Sequence, residues 1–220
     1  MNRPMLFSTL MVESILSENK TMTRRIVKPQ PMMDGSGMWH WKDCQWMDGG
    51  MGFPQSGVKD YAPWHPGDVL WVRETWNDVS ECGLGHFVYR ADYRSNFVYA
   101  CDIASGAYPS SCRGKDCDFC EPFALTWRPS ILMPKKACRL FLCVSSVRME
   151  RLQRISNKDA LAEGVEVKDW PFDDTPREMF EYLWDSLNAK RSGGAYSWAM
   201  NPWVWVISFE RCEKPNCFGV

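Results

Sequence analysis

Two long tracts of turn-forming residues, at about 29–65 and 92–127, interrupt this 220-residue chain. The first contains PQPMMDGSGMW, MDGGMGFP and YAPWH, rich in Gly, Pro, Met and Trp, and reads as an irregular insertion. Periodic sequence survives before, between and after these tracts, so a sheet must pair segments far apart in the chain. Regular strand–helix alternation is missing, as is a glycine-rich dinucleotide fingerprint, which argues against a doubly wound fold. The expected class is α+β, a single domain over residues 1–220 built as a mixed β-barrel with flanking helices and two long insertions.

The periodic blocks predict the elements. Arg3 to Ser8 reads as an opening strand, and Leu10, Met11, Ile15 and Leu16 recur at helical spacing over about 9–18. KTMTRRIV (20–27) reads as the extended segment that follows. DVLWVRET (68–75) is entered through the turn His65-Pro66-Gly67-Asp68, and GHFVYRA (85–91) and ACRLFLCVSSV (137–147) are further strands. Ser156 caps a helix running through Gly164, with Asp159 at the capping-box position. TPREMFEYLWDSLN (175–188) has a Thr cap, Pro at the first position and a stripe of Met179, Phe180, Leu183, Trp184 and Leu187. NPWVWVISFERC, from Asn201, closes the core with a strand.

Twenty-six Lys and Arg against 27 Asp and Glu leave a formal charge of −1. A protein that coats polyanions would be basic, so any nucleic-acid contact must be a local patch. The longest apolar stretches, such as Trp203 to Phe209, are too short to span a bilayer, and MNRPMLFSTL has no signal-peptide block. A cytoplasmic chain with no membrane partner is expected, and its ten cysteines should be mostly reduced. Cys101, Cys112, Cys117 and Cys120 crowd one polar segment, the last two as C-x-x-C. Four thiolates suit a closed, structural zinc site that would hold a tract with little core of its own. Cys82 is a substitute for Cys101, His65 and His86 are weaker ligands, and a free-thiol insertion is the alternative. Cys138 and Cys143, in apolar strand-like sequence, read as small buried hydrophobes. No cofactor is expected for catalysis.

ENKTMTRR (18–25) concentrates Lys20, Thr21, Thr23, Arg24 and Arg25 after the first helix. A threonine hydroxyl becomes a nucleophile when a base takes its proton, and a lysine serves as that base when desolvation or neighbouring cations lower its pKa. In a regular strand Lys20 and Thr23 point to opposite faces, so their cooperation requires a bend at the helix–strand junction. Without one, Lys20 is a helix C-terminal cation and the threonines are ordinary strand residues. Arg73 and Glu74 face opposite ways, lining a cavity or forming a rim ion pair. Trp71, Trp76, Trp203 and Trp205 are core residues or base-stacking platforms. Asn201 reads a base edge or caps the turn before Pro202.

Five stretches in order carry a family resemblance: KTMTRR (20–25), PGDVLWVRETW (66–76), RLQRISNKDALAEGV (151–165), LWDSLN (183–188) and NPWVWVISFER (201–211). Together they resemble the ASCH-domain family of PUA-like barrels, most closely its longer phage and prophage members. One branch of small ASCH proteins hydrolyses the acetyl group from cytidine acetylated on its exocyclic amine. The resemblance implies that its catalytic lysine, threonine and glutamate fall on Lys20, Thr23 and Glu163, and its following arginine on Arg25. Other members bind RNA or modified bases, and some have been proposed as nucleases.

The expectation is an amidohydrolase that removes an acyl group from a modified cytidine. Lys20, Thr23 and Glu163 would be catalytic, with Arg24, Arg25, Arg73, Glu74, Trp76 and Asn201 at the substrate. Glu163 would pass protons to the leaving amine or activate water, and Arg25 or a backbone N–H near Thr23 would stabilise the oxyanion. The alternative is a non-catalytic binder of RNA, single-stranded or modified nucleic acid. A nuclease is weaker, because it needs a metal site or a histidine pair and the three histidines are scattered. A phage-encoded chain would work in the host cytoplasm.

Overall fold

The computed structural model describes residues 2–47, 61–79, 87–93, 97–98, 123–124, 126–166 and 175–215. Its strands are β1 (Asn2–Leu6), β2 (Met22–Ile26), β3 (Met32–Met33), β4 (Met38–Trp41), β5 (Cys44–Met47) and β6 (Val69–Arg73). They continue with β7 (Trp76–Asp78), β8 (Phe87–Tyr89), β9 (Phe97–Val98), β10 (Phe123–Ala124), β11 (Phe141–Arg151) and β12 (Trp203–Cys212). The α-helices are α1 (Thr9–Leu16), α2 (Asn157–Ala162) and α3 (Pro176–Asn188). The fold is mixed α+β and mostly sheet. The expected barrel is not closed among the described residues: β2 is a sheet edge whose one strand neighbour is β12. No described helix is long and apolar enough to cross a membrane.

Two compact units divide the chain, one made of residues 14–69 and 142–212, the other of 2–13, 70–141 and the residues from 213. In the first, β11, β12 and β2 are neighbours in that order, and β2 runs antiparallel to β12 with Arg24 opposite Val206. Trp203 to Ile207 are all buried, because both faces of β12 are covered. Val204 and Val206 meet Phe180 and Trp184 of α3 and Leu152, Ile155 and Ala160 in one apolar cluster. Trp203 and Trp205 face the other way, onto Trp39, Trp46 and Trp41 at ring-centroid distances of 5.5, 5.4 and 5.7 Å.

Those partners come from the tract expected to be irregular. Residues 32–47 form a three-stranded antiparallel meander, β3–β4–β5, with Trp39 paired to Trp46 and Met33 to Trp39. Its strands are two to four residues long, too short for a period-2 pattern to emerge from Met, Gly and Trp. The helices follow their signals: Ser156 accepts from the Asp159 N–H at the start of α2, and Thr175 and Glu178 form a complete capping box on α3. Leu187 of the expected α3 stripe is exposed, and Asn188 is buried instead.

In the second unit β1 neighbours β6, and the Val72 N–H donates to the Leu140 carbonyl at 3.0 Å. The strand expected at 137–147 begins at Phe141, because residues 135–137 turn as a 3-10 helix after Pro134. β7 and β8 form an antiparallel hairpin, Trp76 opposite Tyr89. Trp76, Tyr89, Met133 and Ala137 make its core cluster.

Candidate functional site

The junction after α1 is where the chain bends. Glu18 takes a left-handed φ of 63°, and the Lys20 N–H turns back to the Ser14 carbonyl at 2.9 Å. The Thr21 N–H then donates to the Ala162 carbonyl at 2.9 Å, and Lys20 forms an isolated antiparallel bridge with Glu163. Gly164 makes this approach possible. Its φ is +86°, and a Cβ there would lie 2.9 Å from the Ser14 Cβ and 3.1 Å from the Lys20 Cβ, closer than packed carbon atoms tolerate.

The bend delivers Lys20 to Glu163 across 143 residues of sequence. The Lys20 Nζ donates to the Glu163 carbonyl at 2.7 Å and to Oε2 at 2.8 Å. Arg24 takes the other carboxylate oxygen, Oε1, at 3.1 Å, and its second amino group reaches Glu150 at 2.8 Å and Asp159 at 3.0 Å. Arg148 closes the network on Glu150 at 3.1 Å and Asp159 at 2.8 Å. Lys20, Arg24 and Glu163 are 2%, 4% and 5% exposed.

Burial lowers the Lys20 pKa, the Glu163 carboxylate opposes that, and Arg25 and Arg24 add to the lowering. For Arg24 burial also disfavours the charge, but Glu163 and Glu150 outweigh it and hold its pKa above the ordinary value. An ammonium has three protons. Lys20 spends two on Glu163 and, among the described residues, has no acceptor for the third.

The residues singled out in the sequence fall into distinct places. Lys20, Arg24 and Glu163 come together. Thr23 is buried on β2 beside Arg24, so strand alternation turns its side chain to the opposite face; no hydrogen bond joins it to Lys20. Arg25, opposite Trp205, has its pKa lowered by burial, with Glu163 opposing and Arg191 adding to the effect. Arg73 donates to the Ile131 carbonyl and lies over Trp71. Glu74 is bound by Arg139, and Trp76 is buried in the second unit's core. Asn201 adopts a left-handed conformation and accepts from the Gln153 N–H at 2.9 Å, a turn cap. Cys82, His86, Cys101, Cys112, Cys117 and Cys120 lie outside the described residues. His65 forms the turn before β6, its N–H on Asp68 at 2.9 Å. No group of His, Cys, Asp or Glu fit to hold a metal occurs among the described residues.

Arg148, Glu150 and Asp159 complete the network without having been singled out as its members. Their signal was periodicity. Asp159 and Glu163 are four apart and share a helix face, and Arg148 and Glu150 are two apart and share a strand face. Comparison of the chain with protein-family models, curated protein sequences and solved structures found no match in any of the three.

Proposed function

We propose that the Lys20–Glu163 pair is the acid–base centre of an amidohydrolase that removes an acyl group from the exocyclic amine of a modified cytidine. The proposal takes the chain as a longer ASCH-type, PUA-like protein of the cytoplasm. The observation that carries it is the buried Lys20 ammonium, its proton loosened by burial and one N–H unspent beside a carboxylate. In this reading the Lys20 ammonium first cedes a proton to Glu163, and Thr23 then attacks the acyl carbon as the neutral Lys20 amine takes its proton. The C–N bond then breaks, the leaving amine gains a proton, and water releases the acid from the threonine ester. Because the Thr23 hydroxyl is not bonded to Lys20, substrate must bring the two into register.

Incubation with N4-acetylcytidine tests this. Lys20→Met and Glu163→Gln should each lower kcat/KM by about 10²–10⁴, and Thr23→Val should do the same with the fold intact. Turnover that survives Lys20→Met, or no turnover at all, rejects the proposal. If Thr23→Val alone retains turnover, water replaces the threonine as nucleophile. A structural zinc on Cys101, Cys112, Cys117 and Cys120 belongs to the same reading; metal analysis should find about one zinc per chain, removable by chelator. The second reading, a binder of single-stranded or modified nucleic acid without chemistry, draws on Lys28, which is exposed with its Nζ 5.4 Å from the centre of the Tyr196 ring.

A further inference from the structure

Cys143 and Cys212 lie on neighbouring strands of the first unit, β11 and β12. The Leu152 N–H, just past the end of β11, donates to the Pro202 carbonyl, just before β12, at 2.9 Å. The two strands therefore run antiparallel. Cys212, the last residue of β12, returns to the end of β11 where Cys143 is the third residue. There the two thiols are hydrogen-bonded to each other. Cys143, expected as a small buried hydrophobe, is half-buried, as is Cys212, and both are free thiols. Leu142 and Val144 on either side of Cys143 are buried, so strand alternation turns the thiol to the opposite face. That face is more open, since Ser145, two residues along, is exposed. Cys138 is different: its thiol donates to the Leu140 carbonyl at 3.3 Å, and no second thiol bonds it among the described residues.

We infer that Cys143 and Cys212 form a redox-active dithiol, a modification site that a small disulfide such as glutathione disulfide converts to a cross-strand bridge. Burial and the neighbouring Cys143 sulfur push the Cys212 thiol up to about 12. Two thiolates in contact repel, so Cys212 keeps its proton and Cys143 makes the first attack. The Cys143 thiolate bonds to one sulfur of the oxidant, the oxidant's S–S bond breaks, and one small thiolate leaves and takes up a proton. Once Cys143 is in the mixed disulfide, its charge no longer opposes ionisation of Cys212. Cys212 then gives up its proton and attacks the Cys143 sulfur, and the second small thiol leaves. Two protein thiols are oxidised to one disulfide, and one small disulfide is reduced to two thiols. Residues 142–212 form one continuous stretch of the first unit, and the bridge joins its two ends. It thereby restricts the unfolded chain around Glu150, Asp159 and Glu163. The site is independent of the proposed activity.

The test is to reduce the full chain, treat it with glutathione disulfide, and map the linkages by non-reducing proteolysis and mass spectrometry. The peptides holding Cys143 and Cys212 should be found joined, and dithiothreitol should part them. Thermal unfolding of the same samples should show Tm about 5–10 °C higher after oxidation. Cys143→Ser and Cys212→Ser should each lose both the bridge and the rise in Tm. Cys212→Ser should instead accumulate glutathione on Cys143, because the second attack is missing. Cys138→Ala should keep the bridge and the rise. No bridge in wild type, or a bridge from Cys143 or Cys212 to another cysteine in its place, overturns the site. Wild type that stops at glutathione on Cys143 also overturns it, since the two sulfurs then do not meet. A rise in Tm that persists in either serine variant does the same. The wild-type map decides the matter even where a serine variant does not fold.

Discussion

Glu163 in the first unit and Glu74 in the second are both buried against cations, at 5% and 1% exposure, but the pairs differ in how completely they are satisfied. Arg139 presents a fork to Glu74, Nε and a terminal amino group each at 3.0 Å from a carboxylate oxygen. Its remaining amino group reaches Asp92 at 2.6 Å, and its guanidinium carbon lies 4.0 Å from the Tyr89 ring centre. Every nitrogen is used. Around Glu163 donors are left over: the third proton of Lys20 and the buried Nε–H of Arg24 have no acceptor among the described residues. A saturated pair fixes a fold, whereas a buried pair with donors to spare is where chemistry is to be sought.

Removing each carboxylate should separate the two most sharply. Glu163→Gln leaves the ammonium of Lys20, with no exposed surface, without its counter-charge, and should cost about 3–5 kcal/mol of stability. In Glu74→Gln, Arg139 keeps Asp92 and is 27% exposed to water, so the loss should be about 1–3 kcal/mol. Urea unfolding of both variants checks this, and equal losses would erase the distinction.

How much of this was readable depended on the range of the signal. The caps of α2 and α3 were legible because the residues that make them are three apart. Lys20 and Glu163 were read as a pair through a resemblance to a family motif, not through spacing, since a contact over 143 residues has no local signature. The same strand parity that set Lys20 against Thr23 places Lys20 and Arg24 on one side, and the geometry joins those two on Glu163. The meander at 32–47 was hidden because its pattern is completed by β12, whose tryptophans cover it from far along the chain. Closure of a sheet is likewise a property of its edges, which local patterning does not carry.

Gly164 tests whether the spare donors depend on close backbone approach. Gly164→Ala must strain a φ of +86° and press a methyl into Ser14 and Lys20, for about 2–3 kcal/mol. Gly193→Ala, at a φ of +65° with open space around it, should cost only about 1–2 kcal/mol. A shift of Lys20 by about 1 Å should also lower deacylation by around a hundredfold, while Gly193→Ala spares that step. Thermal unfolding and kcat on N4-acetylcytidine read both effects, and equal behaviour of the two alanines would unseat Gly164 as the positioning residue.

The smallest effect distinguishes the pairs by sign. Burial lowers Lys20 below 10.5, so between its folded value and 10.5 the unfolded chain binds more protons than the native one. Stability from this group is complete above 10.5 and is lost as pH falls through the folded value. Glu74 behaves oppositely: burial raises its carboxyl above 4.5 against the pull of Arg139, and the native chain keeps the proton longer. Its contribution is complete below 4.5 and is lost as pH rises through the folded value. Unfolding free energies from about pH 4 to 10, compared with Lys20→Met and Glu74→Gln, should show wild type gaining on the first variant toward alkaline pH. Wild type should lose ground to the second as pH climbs from the acid end. If wild type and Lys20→Met keep parallel profiles, Lys20 titrates alike in the folded and unfolded chain, and its burial would not prepare it to release a proton.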